Sequence, residues 1–494
     1  MIDLRDHLDA LQECGELVSV DEEVDWNLEA AALAAMSNRT GAQAIHFKKI
    51  KGYPEGYTLA ANLFAGPGHH YDYKRKMWGR MAIGLGLDPK MEYEEFIATL
   101  NERYHFPILP IKTNTGPCKE VINTGKDINL LKFPFPKLHE GDGGRYGFGT
   151  FIVKDLDSDW QNWGVYRFMV LGADRVVADF LTEPMISKDL KAIYQKYAKA
   201  NKPMPVAIVL GGAPAITVAA ATALPEGVSE VEYAGGLNLD PIALTRAEMS
   251  EILVPVDAEI VIEGEIMPSE MATEGPYGTI KGYTKPCSRP LIKVTAVTHR
   301  EQPVLPFIVD GTKVSDTQAL ISIVESSRLT RQLVEEQQFP VRWLQIPADY
   351  NLGICIVSIK NFFTGIPFRL SRYLFTVSNL FDKLLIVDSD VYPMNLYTTI
   401  VDMGEKAHPV RDYRVLEGYP KAVMPNYDEP SPGQGWGRMY IDACWPAWYK
   451  PEEKPVPITW ESCFSKDLRD RVLKRWTEDF HIPVAPKPYP EGQR

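Results

Sequence analysis

Trp160-Gln161-Asn162-Trp163-Gly164-Val165-Tyr166-Arg167-Phe168-Met169 reads as a β-strand that carries two polar residues where a strand core does not want them. Aromatic and β-branched residues suit an extended, half-buried chain. An amide and a guanidinium among them are costly unless they are paired. Strand alternation puts Asn162, Gly164 and Tyr166 on one face and Trp163, Val165 and Arg167 on the other. Asn162 and Arg167 therefore reach one site only if the strand bulges or ends between them. The plain alternative for Arg167 is a structural ion pair.

Working outward, residues 149–154, 165–171, 259–265 and 292–297 are further short β-rich runs, separated by Gly, Pro and Asp turns. They predict a β-barrel or sandwich with inserted helices over 118–315, one helix being 190–199. Upstream, 1–117 has α/β texture. It opens on an amphipathic helix over 2–14 with Leu4, His7, Leu8 and Leu11 at helical spacing, and prolines 107, 110 and 117 mark a linker. Downstream come a helical stretch over 316–340 and an α/β region over 341–450, with strands at 352–359 and 383–387 around a helix at 365–380. A tail over 451–494 carries one helix near 466–479 and is expected to wrap over another domain or subunit. The fold class is α+β.

The chain has 494 residues, 45% of them apolar and 24% charged, with net charge −12. An acidic surface repels nucleic acid and anionic membrane, so neither is expected as a main partner. Six scattered cysteines without a C-x-x-C pair suit reduced thiols, and early acids (Asp3, Asp6, Asp9) do not suit a signal peptide. The expected location is the cytoplasm. Residues 206–224 hold no charge, but Gly211, Gly212 and Pro214 interrupt them. They read as a buried strand, a glycine turn and a buried helix opened by Pro214, not as a membrane span.

Glycine patterns at 84–86 and 433–437 lack the setting of a dinucleotide fingerprint, and neither a phosphate-loop nor a serine-hydrolase motif is present. His69-His70 has no further ligand at metal spacing and reads as a solvated loop. The stretch Pro225-Glu-Gly-Val-Ser-Glu230-Val-Glu232-Tyr233 clusters carboxylates after a turn. That suits a hard cation, although a solvated acidic loop is the commoner outcome. Thr273-Glu274-Gly-Pro-Tyr-Gly278-Thr279-Ile280 places a carboxylate in a glycine-bracketed turn, either a functional loop or a turn only.

Taken in order, these segments resemble the UbiD family of reversible decarboxylases, which use prenylated flavin mononucleotide. The likeness includes His139-Glu-Gly-Asp-Gly-Gly-Arg-Tyr146, Asn162 to Arg167, Gly227-Val-Ser-Glu230, the segment from Ala258 to Glu265, Glu274-Gly-Pro-Tyr-Gly278 and Leu385-Ile-Val-Asp-Ser-Asp390. Residues 139–146 and Asp442-Ala-Cys-Trp-Pro446 look nearest the phenylphosphate carboxylase-like and hydroxyarylic-acid branch. The resemblance implies a flavin-reductase-like split barrel and an α/β C-terminal domain that dimerises. It also implies a flavin made by a partner prenyltransferase and anchored by manganese or magnesium with potassium nearby.

Under this resemblance Asn162 and Glu230 match cation ligands, and Trp163, Val165, Tyr166 and Arg167 fall at the cofactor. Arg167 and Glu274 match two members of a Glu-Arg-Glu catalytic network. Met185, Thr279 and Ile280 fall at the substrate pocket. Two departures stand out. The third network carboxylate would fall at Thr279, and the family's cation-binding His would fall near Met185 or Ile186.

The chemistry fits. Losing CO2 from an unsaturated carbon needs an electron sink that no side chain provides. Arg167 can clamp a carboxylate and keep Glu274 ionised, and Glu274 can deliver the proton. Ile280, Met185 and Phe168 are expected to keep the site dry. The expected function is reversible decarboxylation of an aromatic, heteroaromatic or other α,β-unsaturated acid. A non-catalytic subunit of a larger carboxylase and a flavin oxidoreductase remain as alternatives.

Overall fold

Ile260–Glu274 is a 15-residue strand, longer than its sequence suggests. Its first half is buried on both faces and its second half alternates with solvent. The polar stretch 268–271 hides the continuation, because a register shift between Ile266 and Met271 absorbs it against the partner strand Cys287–His299. The structure is a computed structural model and describes residues 3–66, 76–181, 189–311, 314–391, 396–425, 435–455, 458 and 460–481.

Six strands close into an antiparallel barrel: Ile260–Glu274, Met204–Leu210, Arg145–Lys154, Gln161–Val170, Arg175–Ala178 and Cys287–His299, the last pairing back to the first. Alternate residues enter different cores. Phe151, Phe168, Ile208, Ile262 and Ile292 share one cluster. Ile152, Trp163, Val209 and Val261 join another with the helices Pro214–Ala220 and Glu230–Asn238. Strands covered on both faces read as near-continuous apolar runs, which is why 206–210 carries no charge.

The opening helix Leu4–Glu13 buries Leu4, His7, Leu8 and Leu11, as their spacing predicts, and Asp3 and Asp6 form its capping box. A four-stranded sheet runs in the order Leu17–Val24, Ala44–Ile50, Thr58–Ala61, Val304–Phe307. The last strand lies within the stretch expected to be barrel, yet it pairs parallel with Thr58–Ala61. The chain thus returns to the N-terminal sheet after completing the barrel.

The helix Asp316–Arg331, expected as part of a helical linker, packs as a core element. Asp316 accepts the N–H groups of Leu63, Phe64 and Ala65 at 2.8, 3.0 and 2.7 Å, and most of the helix is buried. A five-stranded sheet follows, in the order Val341–Gln345, Ile354–Ile359, Lys383–Asp388, Gly437–Ala443, Tyr413–Glu417. The tail helix Lys466–Glu478 is exposed along most of its length. Among the described residues no helix is long and apolar enough to cross a membrane.

Candidate active site

Arg167 sits six residues into its strand with a largely buried side chain, and Glu274 is the last residue of the strand Ile260–Glu274. Glu274 is therefore held by a sheet ladder, opposite Cys287, instead of riding on a loop. Arg167 Nε donates to Glu274 Oε1 at 3.0 Å and Nη2 to Oε2 at 3.3 Å. The Glu274 side chain is fully buried. The Cys287 thiol lies 3.9 Å from Glu274 Oε2, and the Arg167 guanidinium stands 4.7 Å from the centre of the Tyr277 ring. Burial works against the Arg167 charge, but the hydrogen bonds and charge of Glu274 outweigh it and raise its pKa. Glu274 already takes the two-pronged edge of the guanidinium, so a second carboxylate cannot use that same edge.

The turn after Glu274 is held from outside. Gly143 N donates to Pro276 O at 2.8 Å, and Asp142 Oδ1 accepts Gly278 N at 2.9 Å. His139 bridges Asp142, 3.0 Å away, and the Asp310 carbonyl, 2.9 Å away. Tyr146 donates to Pro276 O at 3.2 Å, and burial followed by the Glu274 charge pushes its phenol upward. Residues 139–146 thus cradle the turn after Glu274. Their sequence carried the likeness to the family but gave no physical sign of this contact, because the loop lies some 130 residues away.

At the other end of the Arg167 strand, Asn162 Nδ2 donates to Glu230 Oε1 at 3.0 Å, and Trp163 N donates to Oε2 at 3.3 Å. Glu230 is not part of a solvated loop. It is buried in the first turn of the helix Glu230–Asn238, which Ser229 caps. Burial pushes its carboxyl up to about 8. Asn162 Oδ1 is buried with no hydrogen-bond partner among the described residues. An orphaned amide oxygen beside a buried carboxylate is an oxygen donor set that suits a hard cation.

The strand neither bulges nor ends between the two centres. Its ladder with Arg145–Lys154 runs in unbroken register from Val170 to Gln161, so Asn162 and Arg167 stay on opposite faces. Five residues separate them by about 17 Å along the strand. Val165 shares the face of Arg167 and lines a mostly apolar cleft with a cavity volume of about 70 Å³, partly open to solvent. Phe148, Thr150, Gly211 and Gly212 also line it, and the last two had read only as a glycine turn. Tyr166 faces the other way and packs edge-on against Phe151, with ring centres 5.5 Å apart. Phe168 also faces away from Arg167, against Phe135 and Phe151, because alternation puts even and odd residues on opposite faces.

Thr279 spends its hydroxyl within its own hairpin, donating to Gly282 O at 2.8 Å and accepting Lys281 N at 3.0 Å. Ile280 packs half-buried against the core. Met185, Ile186 and His69-His70 lie outside the described residues.

Residues 8–100, 110–313 and 318–443 match in turn the N-terminal, Rift-related and C-terminal domains of 3-octaprenyl-4-hydroxybenzoate carboxy-lyase, UbiD. A pyrrole-2-carboxylic acid decarboxylase of Pseudomonas aeruginosa is 29% identical, over 97% of this chain and 98% of its own. A phenolic acid decarboxylase of Sedimentibacter hydroxybenzoicus is 31% identical, over 92% and 93%. The solved structure of an evolved dimeric form of the UbiD-class enzyme HmfF from Pelotomaculum thermopropionicum, in complex with prFMN, superposes with a TM-score of 0.79 at 25% identity, covering 95% of this chain and all of that one. With all three of its domains matched in order across most of the sequence, this chain belongs to the UbiD family.

Proposed function

We propose that the protein catalyses the reversible, non-oxidative decarboxylation of an aromatic, heteroaromatic or other α,β-unsaturated carboxylic acid with prenylated FMN. The observation that carries this reading is the buried Arg167–Glu274 pair, on the strand whose Val165 lines the apolar cleft. Decarboxylases of pyrrole-2-carboxylic and phenolic acids among its relatives support the substrate class.

The residues present fit the cofactor. The cleft has the mostly apolar lining of a small-molecule site. On the other face of the strand, away from the Arg167 centre, Asn162 and Glu230 would hold a divalent cation, manganese or magnesium. Trp163 and Val165 would flank the flavin, with the central domain read as a flavin-reductase-like split barrel. When bound, prenylated FMN supplies the electron sink for the carbon that loses CO2.

This chain's own residues do the rest. With Nε and Nη2 engaged by Glu274, Arg167 turns Nη1 to the substrate carboxylate and holds it by charge. Glu274 exchanges the proton at the carbon that CO2 leaves. The buried rings of Tyr146 and Tyr277 exclude water and strengthen both interactions. Thr279, with its hydroxyl engaged in the hairpin, takes no part in proton transfer.

The C-terminal region presents aromatic surface. Phe362, Phe363 and Trp448 are 66%, 57% and 59% exposed. Asn361 donates to Trp445 O at 3.1 Å, and Trp445 stacks on Tyr449, which brings these segments together. Such a patch suits a homodimer interface. Free thiols at all six cysteines agree with a cytoplasmic location.

The test is the chain produced together with a flavin prenyltransferase, checked for the prenylated flavin by absorbance and mass. It is then given labelled CO2 and a panel of aromatic and heteroaromatic acids. Label should enter at least one acid. A loaded protein that exchanges label with none of them would refute the reading.

A further inference from the structure

Arg167 carries two carboxylates. Besides Glu274, its Nη2 donates to Asp179 Oδ2 at 3.3 Å, and the Asp179 side chain is only 7% exposed. Asp179 Oδ1 in turn accepts Arg289 Nε at 2.5 Å. Carboxylate oxygens of Asp179 and Glu274 and the Cys287 thiol lie within 4.8 Å of one another. Among the described residues, two guanidinium groups, Arg167 and Arg289, already bind these carboxylates, so the cluster reads as ionic pairing. Asp179 follows the short strand Arg175–Ala178, so neither its position nor its neighbours in sequence link it to Glu274. The carboxylate expected at Thr279 is absent, and the second anion on Arg167 arrives from this other strand.

We infer that Asp179 is the second carboxylate of the reacting network, a positioning residue that fixes the guanidinium of Arg167 and keeps negative charge beside Glu274. This rests on the function proposed above. Among the described residues the groups around Glu274 are Arg167, Tyr146, Asp179 and Cys287, with Arg289 on the far side of Asp179, Tyr277 on the loop after Glu274, and Asp142 and Asp310 beside that loop. Within that set Asp179 opposes Glu274 in two ways. Its charge disfavours a second anion close by, and it draws on the same Nη2. Glu274, placed by the fixed guanidinium, gives a proton to the carbon as the electron pair of the broken C–CO2 bond receives it. Water then returns a proton to Glu274.

Cys287 reports on this charge without any cofactor, since its thiol lies in the same cluster. In the cofactor-free chain, alkylation of Cys287 by iodoacetamide is followed against pH by peptide mass. Asp179→Asn should move the profile down by about one pH unit, and Asp179→Glu should restore it. In the loaded enzyme Asp179→Asn should also lower kcat with KM little changed, and Asp179→Glu should restore it. If Asp179→Asn does not fold, Asp179→Ser carries the same expectation. An unmoved alkylation profile in the folded variant overturns the inference. An inactive wild-type enzyme would count against the proposed function and leave the alkylation profile to decide on Asp179.

Discussion

Gly143 passes so close to Gly275 that a Cβ on Gly143 would lie 2.3 Å from the Gly275 carbonyl oxygen. Gly275 itself has φ +90°, which side chains rarely adopt. The turn that follows Glu274 is therefore locked in place by backbone on backbone. A site built from rigid strands and a clamped turn holds its reacting groups before substrate arrives.

Glu274→Gln keeps the shape of the Arg167 contact and removes the acid. Turnover should fall by about 10²- to 10⁴-fold, measured as label exchange per bound flavin. Arg167→Lys keeps the charge and loses the planar fork, and should be similarly impaired. Arg167→Met is a poorer probe, because an unpaired buried Glu274 costs roughly 3–5 kcal/mol of stability. Full exchange in Glu274→Gln would remove the residue from the mechanism.

Glu230 should make cation binding depend on pH. Its folded pKa, about 8, is above its ordinary value of 4.5. In the cation-free protein the group therefore costs stability progressively as pH rises from about 4.5 to about 8. A cation must displace its proton, so manganese should bind more tightly as pH rises toward 8. Calorimetry at pH 7 in two buffers of different ionisation enthalpy should show about one proton released. Glu230→Gln and Asn162→Ala should abolish the manganese-dependent rise in melting temperature. Binding indifferent to pH would rule Glu230 out as a ligand.

His139 should tie the reacting turn to pH. Burial opposes its charge, but the hydrogen bond and charge of Asp142, with the Asp310 carbonyl, win and raise its pKa. A raised basic group stabilises the fold fully below its unfolded value, about 6.5, and loses that contribution as pH rises through the folded value. Melting temperatures of wild type and His139→Gln should differ most below pH 6.5 and converge at alkaline pH. A constant gap would mean that the imidazole is neutral.

The aromatic surface around Phe362 and Trp448 should be covered in solution. Phe362→Ser with Phe363→Ser should shift the chain toward monomer in sedimentation velocity, while the flavin site keeps its absorbance. A wild-type chain that sediments as a monomer would refute the assignment of this surface.

The sequence alone determined which side chains could do the chemistry. Arg167 and Asn162 stand out because polar groups in an apolar strand demand partners, and the order of motifs indicated the barrel and the two α/β regions. Helix periodicity set the opening helix to within two residues, since Leu4, His7, Leu8 and Leu11 depend only on local spacing. Tertiary structure decided who meets whom. Glu274 reached a strand end through a register shift that alternation cannot reveal, and Glu230 became buried because its helix packs on the barrel. Asp179 stood on Arg167 although it belongs to another strand, and residues 139–146 closed over a turn far along the chain. Contacts between distant segments depend on how the whole sheet closes, and no local pattern encodes that closure.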